Sequence, residues 1–239
     1  MQVRVLFFGM LRELAGGAEQ RLDVADGATM GDVFEACAAR FPRMREMASS
    51  IVLARNQEFS RPGDAVREGD EIALLPPVSG GSGAFLRQSN ESGNFFALTR
   101  QPIDVRKLAA LALRGEDGAV VTFDGVARNN TGGRRTRCLE YECYEPMALK
   151  VMAEIGRELA AGFDIGHIGI VHRLGRVLIG ETSVAIVVTA PHRQAAFAAA
   201  LEAVDQLKRR VPVWKREYFE DGEVWVEGEW DGSVPKAAP

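Results

Sequence analysis

Leu74-Leu75-Pro76-Pro77-Val78-Ser79-Gly80-Gly81 lies about a third of the way along a 239-residue chain, and its reading divides that chain in two. The apolar run Ile72 to Leu75 predicts a last buried strand. Pro76 and Pro77 then stop it, because proline donates no ladder hydrogen bond and holds the backbone extended. Val78-Ser79-Gly80-Gly81 follows, ending in two residues without side chains. Such a tail fits a narrow channel, since glycine lets another backbone approach closely. Taken alone, Gly80-Gly81-Ser82-Gly83 reads more readily as a flexible linker, so the flanking sequence has to decide.

Upstream, Val3 to Phe8 reads as a buried strand, Leu11 to Leu14 as a turn of helix, and Gln20 to Val24 as an alternating strand. Thr29 is placed to cap a helix whose apolar positions are Val33, Phe34, Cys37 and Ala38, and Phe41-Pro42 ends it. Ile51 to Ala54 and Glu71 to Leu75 supply two more strands. Two strands, a helix and two strands in about 80 residues is the order of a β-grasp, ubiquitin-like domain, with the final strand central and its C-terminus projecting. Residues 82–94 are rich in Gly, Ser and Asn and have too little apolar surface to fold, so they read as a linker between a module at 1–81 and another at 95–230. Residues 231–239 read as a disordered tail.

The second module opens on strand Phe95 to Thr99 and a helix capped by Asp104. Ala119 to Arg128 reads as a strand running into a basic loop, Asn129 to Arg135. Strand Arg137 to Tyr144, a helix begun by Pro146, strands Ile165 to His172 and Thr182 to Thr189, and a helix from Pro191 to Arg210 follow. Val213 to Phe219 and Glu223 to Glu229 read as a closing hairpin. The whole is α+β.

Composition excludes several function classes. The net charge of −4 argues against nucleic acid as a partner. No apolar run reaches the roughly 20 residues that span a bilayer, and Met1 leads directly into a strand pattern without a signal peptide, so a cytoplasmic location and no membrane partner are expected. Cys37, Cys138 and Cys143 lack metal-ligand spacing and read as buried thiols, with no metal site expected. Residues 1–81 hold nine Arg, no Lys and twelve acids, whereas the remainder is nearly balanced. That asymmetry suits two parts that dock. Only five lysines stand against twenty-four arginines, and two of them, Lys208 and Lys215, fall within eight residues.

Two places could carry chemistry. At Thr189-Ala190-Pro191-His192-Arg193 a buried strand runs directly into a helix, whose free N–H groups and dipole favour a phosphate or carboxylate. Cations at that end oppose the dipole, which gives His192 and Arg193 a functional reading beside that of solvated helix-start residues. Along the same helix Phe197, Leu201 and Val204 form an apolar stripe, with Lys208 within about 40° of it. Lys208 is therefore expected on the packed face, where a partly desolvated lysine can act as nucleophile or general acid/base; the alternative is a basic helix end. Arg128, at a strand end, would complete an anion-lined pocket. His167 and His172 read as structural.

These residues resemble the two subunits of molybdopterin synthase. Residues 1–81, with the Pro76 to Gly81 ending, resemble the small, ubiquitin-like sulfur-carrier subunit. Residues 95–230 resemble the large, catalytic subunit with its α/β-hammerhead fold, through Phe123-Asp124-Gly125-Val126-Ala127-Arg128, Val171-His172-Arg173-Leu174-Gly175, Ala190-Pro191-His192-Arg193 and Leu207-Lys208-Arg209-Arg210-Val211-Pro212-Val213-Trp214-Lys215-Arg216-Glu217. The resemblance implies transfer of two sulfurs from a Gly81 thiocarboxylate to cyclic pyranopterin monophosphate, forming the molybdopterin dithiolene. Lys208 would be the central catalytic lysine and Lys215 a second essential one, while Arg128, His192 and Arg193 would hold the substrate. It implies no separate cofactor, a homodimer through the C-terminal module, and an E1-like adenylyltransferase with a sulfur donor to load the carrier.

One departure stands out: Gly81 is amide-bonded to Ser82 instead of ending the chain. A peptide carbonyl cannot be adenylated as a carboxylate can, so cleavage after Gly81 is expected. The alternatives are an uncleaved, non-enzymatic storage or assembly form, and a ubiquitin-like modifier fused to a generic phosphate-binding module.

Overall fold

A computed structural model describes residues 1–76 and 87–226, in two compact units. The Val78 to Gly81 tail lies outside the described residues, as do 227–239.

The first unit runs β1 (Gln2–Phe7), α1 (Gly9–Ala15), β2 (Glu19–Asp23), α2 (Met30–Arg40), α3 (Arg43–Glu46), β3 (Val52–Arg55), β4 (Glu58–Ser60) and β5 (Glu71–Leu75). Its sheet order is β2-β1-β5-β3-β4. β1 and β5 lie parallel at the centre and the other pairs are antiparallel, which is the β-grasp arrangement. Val3, Val5 and Phe7 of β1 pack with Val33, Phe34 and Cys37 of α2 and with Ile72 and Leu74 of β5. Thr29 and Asp32 exchange hydrogen bonds in a capping box that starts α2. Burial pushes the Cys37 thiol up to about 11 and leaves it unreactive. The sequence reading passes over β4, three residues joined to β3 by a two-residue turn in which Asn56 and Gln57 have positive φ.

The second unit runs β6 (Arg87–Glu91), β7 (Asn94–Thr99), α4 (Val105–Ala112), β8 (Ala119–Val126), β9 (Asn130–Thr131), β10 (Arg134–Cys143), α5 (Glu145–Gly162), β11 (Ile168–Arg173), β12 (Gly175–Leu178), β13 (Thr182–Ala190), α6 (Arg193–Arg210), β14 (Val213–Phe219) and β15 (Gly222–Val226). One sheet has the order β6-β7-β11-β13-β8; the other has β12-β10-β14-β15, with β9 paired to β10. Two expectations are corrected here. Part of the expected linker is β6, hydrogen-bonded antiparallel to β7 through a Ser92-Gly93 turn. Its sequence is polar, and strand pairing through backbone groups leaves no periodic signature in such a stretch. The expected basic loop likewise contains the short β9–β10 hairpin.

Helices cover both faces of the first of these sheets. α5 lies on β6, β7 and β11, and α6 lies on β13 and β8. Gly156 makes the α5 contact possible, because a Cβ there would stand 2.2 Å from Cζ of Phe96. α4 covers the opposite face, where Leu108 lines a groove with Phe95, Ala97 and Val171. Among the described residues no helix is long and apolar enough to cross a membrane.

His172, at 4 % exposure, sits between the two sheets of this unit. Its Nδ1 lies 2.9 Å from the Arg173 carbonyl oxygen, and its ring meets Tyr141 edge to face at 5.0 Å. Burial lowers its pKa from 6.5 to about 4. The unfolded chain therefore takes up this proton before the folded one does. Stability from this group is complete above about pH 6.5 and is lost as pH falls toward 4, by up to about 3 kcal/mol. Urea unfolding at pH 7.0 and pH 4.5 should show this loss, and His172→Gln should flatten the slope in that window; an unchanged slope would show that another group carries it.

Candidate functional site

Two residues separate the end of β13 from the start of α6, which turns back over β13 and β8. It buries Ala196, Ala199, Ala200, Ala203, Val204 and Leu207. Phe197 and Leu201 are 64 % and 67 % exposed, and Lys208 is exposed. The expectation that Phe197, Leu201 and Lys208 face the core is thus overturned. They do share one stripe, within about 40° at 100° per residue, but that stripe lies about 100° round the helix from the alanines. A row of alanines lets the helix sit close on the sheet, and close seating rather than side-chain size selects the buried face. On its other flank α6 meets α5, where the Arg210 guanidinium donates to both oxygens of Glu158 at 2.6 and 2.9 Å. The Phe197–Leu201–Lys208 stripe therefore looks away from α5, toward the side of the sheet edged by β8.

His192 is the N-cap residue of α6, without a side-chain cap, and Arg193 is its first helical residue. Pro191 thus precedes the cap rather than entering the first turn. Both His192 and Arg193 are exposed, beside the first free N–H groups of an 18-residue helix.

A different set gathers at the far end. Lys208 occupies the last turn of α6, and Val211 and Pro212 lead from there into β14. On β14, Lys215 lies opposite Tyr141 and Glu217 opposite Leu139. Lys215 Nζ is 2.7 Å from Glu217 Oε1, with the two side chains 29 % and 2 % exposed. Thr136 Oγ1 donates to the other Glu217 oxygen at 3.4 Å. Burial raises the Tyr141 phenol, opposed by a hydrogen bond with Ser183 and assisted by the charge of Glu217. Tyr141 and Leu139 pack with Val177 and Ala127. Arg128, the next residue after Ala127, is exposed.

The chain by itself does not unite all five candidates. Thr182 of β13 is paired with Val126, and Ala190 with Ala119, so Arg128 and His192 stand at opposite ends of a strand about 26 Å long. Lys208 lies about 23 Å along α6 from Arg193. The single anion pocket expected of Arg128, His192 and Arg193 is not formed within one copy. Gly80 and Gly81 lie outside the described residues.

Glu217 is the residue that the sequence reading quotes without a role. Its signal was an acid two positions from Lys215 in a strand, which places both on one face; its burial was not readable. Two clefts lie away from these residues, one of about 430 Å³ beside Glu140, Arg176 and Tyr218 and one of about 510 Å³ beneath α4. His167, with Nδ1 2.9 Å from the Ala112 carbonyl oxygen, has a structural environment. Among the described residues no group of acids, His and Cys could hold a metal ion.

Comparison with known proteins supplies the family. Residues 98–210 match the model of the MoaE protein family, and residues 5–81 match that of the ThiS family. The molybdopterin synthase catalytic subunit of Bacillus subtilis is 43 % identical over 131 residues, 55 % of this chain and 83 % of that protein. Molybdopterin synthase catalytic subunit 1 of Aedes aegypti is 46 % identical over 131 residues, 54 % of this chain and 84 % of its own. A crystal structure of molybdopterin synthase from Staphylococcus aureus superposes with a TM-score of 0.52 at 38 % identity, covering 54 % of this chain and 94 % of that one. The chain therefore belongs to the molybdopterin synthase catalytic subunit family of molybdenum-cofactor biosynthesis, and it carries a ThiS-family, β-grasp domain in the same polypeptide.

Proposed function

We propose that this chain is a molybdopterin synthase whose sulfur carrier and catalytic module are made as one polypeptide. Cleavage after Gly81 frees a carboxylate that an E1-like adenylyltransferase activates and a sulfur donor converts to a thiocarboxylate. Each transfer forms a carbon–sulfur bond on cyclic pyranopterin monophosphate in place of a carbon–oxygen bond, the displaced oxygen leaving as water or staying on the phosphate as its ring opens. Water then cleaves the acyl–sulfur bond and returns Gly81 as a carboxylate, so two loaded carriers are consumed per dithiolene.

The observation that carries this reading is the Lys215–Glu217 pair, 2.7 Å apart, on the strand that follows the helix whose last turn holds Lys208. A buried carboxylate holds one ammonium at a fixed position, and a second, Lys208, lies seven residues earlier in the chain, on the other side of the connection from α6 to β14. Such an arrangement stabilises negative charge that develops on a thiocarboxylate carbonyl and on a phosphate. Lys208, on an exposed helix end, is accessible to a threaded glycine tail. Arg128, His192 and Arg193 supply donors for the substrate phosphate and pterin. Because Arg128 and His192 stand about 26 Å apart in one chain, a complete site takes Lys208, Lys215 and Arg128 from one copy and His192 and Arg193 from another, in a homodimer formed through the C-terminal module. A solved complex of subunits 1 and 2 of the molybdopterin-converting factor from Helicobacter pylori shares the fold, at a TM-score of 0.50 and 20 % identity over 58 % of this chain and 96 % of that one.

Mass spectrometry of the chain isolated from its own cell should find a fragment ending at Gly81 with one oxygen replaced by sulfur; a full-length mass in protein that still converts substrate would refute cleavage. If the intact chain is inactive and never cut, the storage reading replaces the enzymatic one. With loaded carrier supplied, Lys208→Ala should reduce product formation by about 100-fold or more without changing the circular dichroism spectrum. Glu217→Gln should lower kcat about tenfold with little change in KM, a difference of about 1.4 kcal/mol in the barrier, and Glu217→Asp should recover part of it. Loss confined to KM would assign Glu217 to substrate binding instead.

A further inference from the structure

We infer that Asp117 is a positioning residue for the substrate anion: with Thr189 and Gly118 it fixes the turn from β13 into α6, and so the direction in which His192 and Arg193 are presented. Asp117 touches no substrate in this role, which rests on the reading above that His192 and Arg193 bind the substrate phosphate and pterin.

α2 and α4 fix their own first turns, Thr29 and Asp104 accepting from the backbone N–H groups of Asp32 and Lys107. A side chain that caps a helix in this way also occupies N–H groups that an anion would use. α6 has no such cap: His192 stands at the N-cap without a side-chain bond. Its first backbone bond, from Ala196 N–H to the His192 carbonyl, is long at 3.5 Å. Packing does not hold that turn either, because the first buried side chain of the helix is Ala196, while His192 and Arg193 are exposed. The head of α6 is therefore held from behind, by whatever fixes the strand it leaves.

Asp117 occupies that place, in the turn between α4 and β8, with its side chain 0 % exposed. Its carboxylate accepts from the Arg114 backbone N–H at 2.8 Å and from the Arg114 guanidinium at 3.1 Å, and it accepts from the Thr189 hydroxyl. A charge at that depth is tolerated because these donors surround it. Thr189, itself 0 % exposed, also accepts from the His167 N–H at 2.8 Å, so its hydroxyl is committed on both sides. Gly166 leaves room for the cluster, since a Cβ there would stand 2.2 Å from Asp117 Oδ1 and 2.5 Å from Thr189 Oγ1. The next residue after Asp117 completes the clasp. Gly118 donates to the Ala190 carbonyl at 3.0 Å, and a Cβ on it would stand 2.5 Å from the Pro191 carbonyl oxygen. The carboxylate thus grips Thr189 while Gly118 seats Ala190 and Pro191, the three residues that lead into His192. Losing either grip frees the head of α6 to swing, and a displacement of about 1 Å is enough to misalign donors on an anion.

The test uses the full chain, isotope-labelled at the histidine Cε1 positions, whose NMR spectrum holds three ring signals; His192→Gln identifies that of His192. Inorganic phosphate added at constant pH should shift this signal in the wild type. In Asp117→Asn and in Thr189→Val the phosphate dissociation constant should rise about tenfold, with an unchanged circular dichroism spectrum. Thr189→Ser keeps the hydroxyl and should bind phosphate as the wild type does. Gly118→Ala leaves every polar group in place but crowds Pro191, and should weaken binding as Asp117→Asn does. Gly115→Ala, in the same turn with nothing within 4 Å of its Cβ, should not. With loaded carrier and substrate, the weakened variants should show KM raised about tenfold and kcat within about twofold of wild type. Unchanged phosphate binding in Thr189→Val or in Gly118→Ala overturns the role, and these two decide it if Asp117→Asn does not fold. A fall in kcat at unchanged KM also overturns it, since that is what loss of folded protein alone would give. A wild type whose His192 signal ignores phosphate removes the anion site and this role with it, so a failure of the functional reading shows in the wild type and a failure of the positioning role only in the variants.

Discussion

The catalytic module depends on the seating of α6 against β13 and β8 through alanine. Ala196, Ala199, Ala200 and Ala203 present almost no side chain, so the helix axis comes close to the sheet and its rotation is fixed by that contact. Once the rotation is fixed, Phe197, Leu201 and Lys208 have no choice but the flank. Exposing two large apolar side chains forgoes burial worth roughly 1.5–3 kcal/mol each, a cost that makes sense where another surface covers them.

The second constraint is electrostatic. Glu217 is nearly inaccessible, and its charge is tolerated because Lys215 and Thr136 satisfy it. Breaking a buried pair by removing one partner typically costs about 3–5 kcal/mol, whereas an intact pair adds little net stability. What the pair provides is position: an ammonium pinned to a strand whose neighbours, Tyr141 and Leu139, are themselves packed against Ala127. Precision at Lys215 and at Arg128 therefore comes from one small cluster between the two sheets.

Much of this was legible in the residues. Alternation in Val3 to Phe7, the Thr29 cap and the Pro76-Pro77 stop are local, and they give the first module its strand order. The opening of α6 at Pro191-His192 and its end at Pro212 are equally local. The polar strand Arg87 to Glu91 was not, because its pairing with β7 rests on backbone groups that every sequence possesses. Nor was the inward face of α6, since the apolar scale ranks Phe and Leu above Ala while close packing on a sheet rewards the smallest side chain.

By itself, then, the sequence determined the elements, their order, the division into two modules and the residue types that could carry charge chemistry. These follow from short-range sterics and periodicity, which act within a few residues. Only the tertiary structure decided where those charges stand. Pairing Thr182 with Val126 and Ala190 with Ala119 sends Arg128 and His192 to opposite ends of one strand. Register between strands more than fifty residues apart in the chain is set by the packing of the whole sheet.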